Sequence, residues 1–166
     1  MALTKITHQS MPSGSVLQAQ YVVDTQTQTQ ATTSNSSAFV DMAGMTVSIT
    51  PKFSDSKILI MYNWHVYVMG GSTSWISTDV QLVRTVGGSA TNLIGENPVY
   101  GTGHHNSGGD NAFLLYQGKQ YVDSPSTTSA ITYKVQCKIT QNTLTMYYND
   151  GGNGTGGSMV AMEIAA

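Results

Sequence analysis

Apolar and polar residues alternate along this chain with a period of two. In residues 131–139, Ile131, Tyr133, Val135, Cys137 and Ile139 fall on one side of an extended segment, and Thr132, Lys134, Gln136 and Lys138 fall on the other. That is the pattern of a strand with one buried face. The run 57–69 differs. Ile58, Ile60, Tyr62, Trp64, Val66 and Val68 alternate with Leu59, Met61, His65, Tyr67 and Met69, so both faces of this strand require cover. Shorter runs predict strands at 17–24, 38–42, 45–49, 75–86, 92–96, 113–116, 120–123 and 159–164. In the last of these Val160, Met162 and Ile164 share a face.

Punctuation between the runs supports the same reading. Pro51 ends one strand, Gly70-Gly71 and Gly87-Gly88 mark turns, and Pro125 sits in a turn over 123–129. Residues 143–148 are predicted to pair with 131–139 as a hairpin across Gln141-Asn142. Residues 25–34 are polar and threonine-rich, and read as an exposed strand, a long loop or a disordered tract. Residues 100–111 and 149–158 are glycine-rich loops. No window carries apolar residues at helical spacing over three turns, so little or no helix is expected. The sequence therefore predicts an all-β fold, a jelly-roll β-sandwich over 16–166, preceded by an extended arm over 1–15.

Composition narrows the function classes. A length of 166 residues with 40 % hydrophobic residues suits one domain with an ordinary core. Only 10 % of residues are charged and the net charge is -2, far from the roughly 25 % charged residues of a typical soluble domain. The seven Lys and Arg are interspersed with nine acids and form no basic stripe, so no nucleic-acid partner is expected. The start of the chain has no signal-peptide core and no run approaches the length of about 20 apolar residues that spans a bilayer, so synthesis in the cytoplasm without membrane insertion is expected. Cys137, alone and on the apolar side of its strand, reads as a small buried hydrophobe.

Several segments together resemble a known family. They are Met11-Pro-Ser-Gly-Ser-Val-Leu-Gln18, Phe39-Val-Asp41, Val47-Ser-Ile-Thr-Pro51, Ser56-Lys-Ile-Leu-Ile60, Asp123-Ser-Pro-Ser-Thr127 with Thr132-Tyr-Lys-Val-Gln136, and Ala161-Met-Glu-Ile-Ala165. In this order and spacing, from about residue 11 to the end, the chain is similar to small virion proteins of tailed bacteriophages, common among phages of aquatic bacteria and cyanobacteria. The resemblance implies a trimeric jelly roll of the tumour-necrosis-factor-like kind, located in the virion as a fibre, knob or capsid decoration. It brings no catalytic residues.

Candidate functional residues follow from both readings. Leu3, Ile6, Met11, Pro12 and Val16 are the arm positions expected to anchor the chain to the major capsid protein or another virion protein. Leu59, Met61, Tyr67 and Met69 supply the second apolar face that a homotrimer would bury. Trp75, Tyr100, Tyr147 and Tyr148 flank the glycine-rich loops, where aromatic faces stack on sugars. With His104, His105, Asn106, Asn111 and Asn149 they form the candidate contact for a host surface glycan, the role of a tail-fibre tip.

Chemistry is weakly represented. His104 and His105 with Asp110 have ligand-type side chains, but adjacent histidines on an extended backbone diverge and no third ligand stands at fixed spacing. Asn149, Asp150 and Asn153 lack the regular acidic spacing of a calcium loop. No metal or cofactor is expected. His65 has no nucleophile motif beside it, and the acids fall mostly at turns, so no enzyme is expected.

Overall fold

The computed structural model of the protein describes residues 11–24, 38–69, 76–101, 104–105, 111–139, 145–148 and 156–166. Among them the chain forms β1 (Val16–Val23), β2 (Val40–Ile49), β3 (Lys57–Met69), β4 (Ile76–Val86), β5 (Ser89–Gly101), β6 (His104–His105), β7 (Asn111–Asp123), β8 (Ile131–Ile139), β9 (Thr145–Tyr148) and β10 (Ser158–Ile164). No helix occurs among the described residues.

The strands make two antiparallel sheets. Sheet 1 has the order β1-β10-β3-β7-β6, with β9 beside β3, and sheet 2 has the order β2-β8-β4-β5. Leaving aside the short β6 and β9, the first strand pairs with the last, the second with the second from last, the third with the third from last, and the middle two with each other. This nested pairing wraps a chain into a jelly roll, so the fold is the expected all-β jelly-roll sandwich.

The inward faces carry the alternation read in the sequence. Sheet 1 contributes Ile58, Ile60, Tyr62, Trp64, Met159 and Ala161, and sheet 2 contributes Val47, Ile49, Val80, Leu82, Ile131, Tyr133, Val135 and Cys137, all buried. Tyr62 and Trp64, two residues apart on one face of β3, stack at 5.3 Å between ring centroids. Burial pushes the Cys137 thiol up to about 12, which leaves it protonated and inert.

Five expectations about elements are corrected. Segment 143–148 was expected to pair with 131–139; its described part, β9, pairs instead with Val66–Met69 of β3. The reason is that both edges of β8 are taken, by β2 and β4. The two strands expected at 38–42 and 45–49 are one strand, β2, whose register against β8 shifts between Asp41 and Thr46, with Gly44 at φ +73°. The two expected around Gly118 are the single β7. The strand expected at 92–96 runs from Ser89 to Gly101, and β6 pairs with the start of β7 inside the segment expected to be loop. β2, β5, β6 and β7 are held extended by backbone pairing to a neighbour rather than by side-chain alternation.

The pairing also fixes two ends of the sandwich. The Gly14 N–H donates to the Ala165 carbonyl and the Ala165 N–H to the Ser15 carbonyl, both at 2.9 Å, so the first and last described segments meet at one end. Lys57 of β3 pairs with Ile164 there. At the opposite end β3 finishes at Met69 against Ala112 and Thr145, and β4 begins at Ile76 against Gly101.

Candidate assembly face

Three polar joints hold the sandwich in register. Glu163, fully buried, accepts hydrogen bonds from Gln18 Nε2 (2.6 Å) and from the Lys52 and Phe53 amides (2.8 and 3.2 Å). Gln18 also donates to the Thr50 carbonyl. Asp123 accepts from Tyr133 Oη at 2.8 Å and from Arg84 at 2.8 and 3.0 Å, tying β7 to β8 and β4 across the two sheets. Asp41 accepts from Lys134 and Gln136. Partial burial opposes ionisation there, but those hydrogen bonds and the Lys134 charge keep the carboxyl below its ordinary value. Gln18, Thr50 and Glu163, Asp41 with Lys134 and Gln136, and Asp123 with Tyr133 all belong to the segments that carry the family resemblance. Those segments are the joints of the scaffold.

The two outward faces are chemically opposite. On sheet 2, Ser48 meets Thr132 at 2.9 Å, Lys134 meets Asp41, Gln81 donates to Gln136 at 2.6 Å and Lys138 lies 3.4 Å from Asp79. This is a ladder of paired polar side chains, of which Asp79 and Gln81 on β4 are themselves buried. On sheet 1, the register lines up Ala19, Met162, Leu59 and Val122 in one row, and Tyr21, Val160, Met61 and Gln120 in the next. Val16 pairs with Ile164 below these rows, and Val23, Ser158, Asn63 and Gly118 form the row above. Among the described residues, the five exposed large apolar side chains are Val16, Tyr21, Val23, Tyr116 and Val122. All five fall on this one face.

Within the face lies a shallow depression of about 530 Å³, lined by Met61, Asn63, Gly118, Gln120, Ser158 and Val160. Its floor is the row where Gly118 has no side chain opposite Asn63. Asn63 Oδ1 accepts the Ser158 amide at 3.0 Å.

No known protein family matches the chain, and no curated protein matches it. Among solved structures the chain is similar to dimeric latent PorU from Porphyromonas gingivalis, at 8 % identity and a TM-score of 0.43, over 93 % of this chain and 13 % of that one. It is similar to the infectious bursal disease virus Gt strain structure at 13 % identity and a TM-score of 0.38, over 93 % of this chain and 39 % of that one. It is also similar to Mud Crab Dicistrovirus at 8 % identity and a TM-score of 0.24, over 98 % and 72 %. The chain thus spans a small part of the first two, and likenesses of this strength carry no functional argument. The fold rests on the strand pairing itself.

Leu59 and Met61, expected at a subunit interface, sit half-buried in the middle of the apolar face. Tyr67 and Met69 lie farther along β3, where the backbone alone is described. Of the expected arm residues, Met11 is half-buried, Pro12 is exposed, and Val16 opens β1 on the apolar face at 53 % exposure. Leu3, Ile6, Trp75, Asn106, Asp110, Asn149, Asp150 and Asn153 lie outside the described residues. Tyr100, His104, His105, Asn111, Tyr147 and Tyr148 fall in β5, β6, β7 and β9 with the backbone alone described. Among the described residues no three His, Cys, Asp or Glu side chains gather at metal-ligand spacing.

Sequence reasoning missed Tyr21, Val23, Tyr116, Val122 and Val160 as members of the face. The signal was present in 159–164, where the larger apolar set, Val160, Met162 and Ile164, points outward while Met159, Ala161 and Glu163 point in. Glu163 decides this: its carboxylate must reach the Lys52 and Phe53 amides.

Proposed function

We propose that this chain is a virion structural protein of a tailed bacteriophage, a homotrimeric capsid decoration or head appendage that docks on the particle through its N-terminal arm. The observation that carries the reading is the apolar outward face of sheet 1, set against the polar ladder on sheet 2. Four strands about 4.8 Å apart and eight residues long cover roughly 500 Å², near the upper end of the ~300–600 Å² patch a monomer exposes. Copies of the same chain arranged about a symmetry axis bury such a face without needing another protein. The ordered sequence resemblance supports the phage virion setting, and the arm enters the fold at the end where Gly14 meets Ala165, which suits attachment there.

One observation favours a second role for the same trimer. The Met69 end of β3, the Gly101 end of β5, β6 and the Asn111 start of β7 all lie at the end away from Gly14 and Ala165. A module fixed by its arm presents these strand ends outward, the position of a receptor-binding tip for host glycans.

Deleting residues 2–10 tests the docking role. The Gly14 and Ser15 pairs with Ala165 survive the deletion, so the truncated chain is expected to fold and trimerise as the full chain does while no longer co-purifying with particles. Undiminished incorporation overturns the arm's role. A cryo-electron reconstruction of virions then places the density on the head or at the tail.

A further inference from the structure

Gly118 lies in the middle of the 13-residue strand β7, yet the subunit's own structure gives no reason for a glycine there. Its φ is not in the left-handed region, and a Cβ built on it would make only ordinary contacts, 3.8 Å from the Tyr62 carbonyl oxygen and 4.0 Å from Asn63 Cβ. A glycine inside a strand weakens it and often marks a site where something from outside approaches closely. What Gly118 creates is the depression beside Asn63, on the face that the proposed trimer buries.

We infer that this depression is a socket for a side chain of a second copy, and that Tyr21 of the neighbouring copy fills it. The inference rests on the trimer reading above and names its anchor. Tyr21 is 76 % exposed, the most exposed of the large apolar side chains on the face. It stands on β1, at the rim of sheet 1, two strands away from the β3 row that floors the depression. Its cross-strand partner Val160 forms the near wall of the depression, yet Tyr21 itself does not line it and points to solvent. Tyr116 is excluded as the plug because it walls the adjoining hollow with Asn63, Trp64 and Gly118. A rim aromatic and a socket on one face are self-complementary, and a rigid aromatic seated in a pocket is the usual anchor of an interface. The phenol would find Asn63 and Gln120 side chains at the socket.

A double-mutant cycle on the full-length chain tests this, using sedimentation equilibrium for assembly and thermal melting for the fold. Gly118→Leu fills the socket from within and Tyr21→Ala removes the plug; neither touches the core. Each is expected to keep the wild-type fold and weaken trimerisation at least tenfold, and the double variant is expected to be no weaker than the worse single one. Normal assembly by Gly118→Leu overturns the socket while leaving the trimer standing. Additive losses in the double variant overturn the pairing of Tyr21 with the socket. A wild-type chain that stays monomeric at micromolar concentration overturns the trimer reading, and the socket with it.

Discussion

Asp123 joins the two sheets through side chains of both β4 and β8. It is 4 % exposed, and it takes the Tyr133 hydroxyl and the Arg84 guanidinium at once. Burial first, and then the hydrogen bond to and the charge of Asp123, push the Tyr133 phenol well above its ordinary value, so it remains a donor. Asp123→Ala strands a buried hydroxyl and a partly buried cation and is expected to cost about 3 kcal/mol, whereas Tyr133→Phe removes one hydrogen bond and costs about 1 kcal/mol. Urea midpoints at neutral pH check both, and equal losses would show that the Arg84 contact contributes nothing. Alkali probes other buried groups. Burial pushes both Tyr62 and Cys137 up to about 12, from unfolded values of about 10 and 8.5. The folded state holds these protons and the unfolded state releases them, so this contribution is complete below about pH 8.5 and declines as pH rises towards 12. Cys137→Ala is expected to lower stability at neutral pH by leaving a small cavity, but to flatten the decline between about pH 8.5 and 10, where the thiol titrates before the Tyr62 phenol in the unfolded chain. Melting temperatures across that window decide it, and an unchanged slope would refute it.

At the scale of elements, three glycines separate local conformation from packing. Gly44 has φ +73° in the irregular stretch of β2, and a Cβ there would collide with the Asp24 carboxyl group. Gly88 has φ +85° in the β4–β5 turn, with open space around it. Gly118 has neither constraint. Alanine at the three positions is expected to cost about 3 kcal/mol or more at Gly44, about 1 kcal/mol at Gly88 and nothing measurable at Gly118. A thermal-melt series that reversed the first two would place the strain in the turn. The same distinction marks what was legible beforehand. β3 and β8 stood out because their burial is strictly periodic, and the Gly87-Gly88 turn because its chemistry is local. The single strand β2 and the full length of β5 were hidden, since a bulge breaks the period of one and the other, an edge strand with Asn97-Pro98 inside it, has little apolar alternation to show. The partner of β9 was hidden for a different reason: which edge is free depends on the order of the whole sheet. Leu59 and Met61 announced a second apolar face because β3 is apolar on both sides. Tyr21 and Val122 joined them only once β1, β10, β3 and β7 stood side by side.

For the whole molecule, the opposite chemistry of the two outward faces turns an assembly question into a comparison within one fold. Val122 is 58 % exposed on sheet 1 and pairs with Leu59, so Val122→Glu disturbs no core contact but places a charge within the apolar rows. Thr132 occupies the outward side of sheet 2 beside Ser48, and Thr132→Glu adds the same charge to a surface already polar. If sheet 1 is where copies meet, Val122→Glu leaves three desolvated carboxylates around a closed interface, each costing several kcal/mol unless paired. A folded monomer at micromolar concentration is then the expected product, while Thr132→Glu trimerises as the unaltered chain does. Light scattering coupled to gel filtration reads both masses, and circular dichroism shows whether each remains folded. Trimers from both variants would remove sheet 1 from the interface, because a charge of that size cannot be buried three times without effect. Monomers from Thr132→Glu alone would move the interface to the polar ladder, and the apolar face would then require a different protein to cover it.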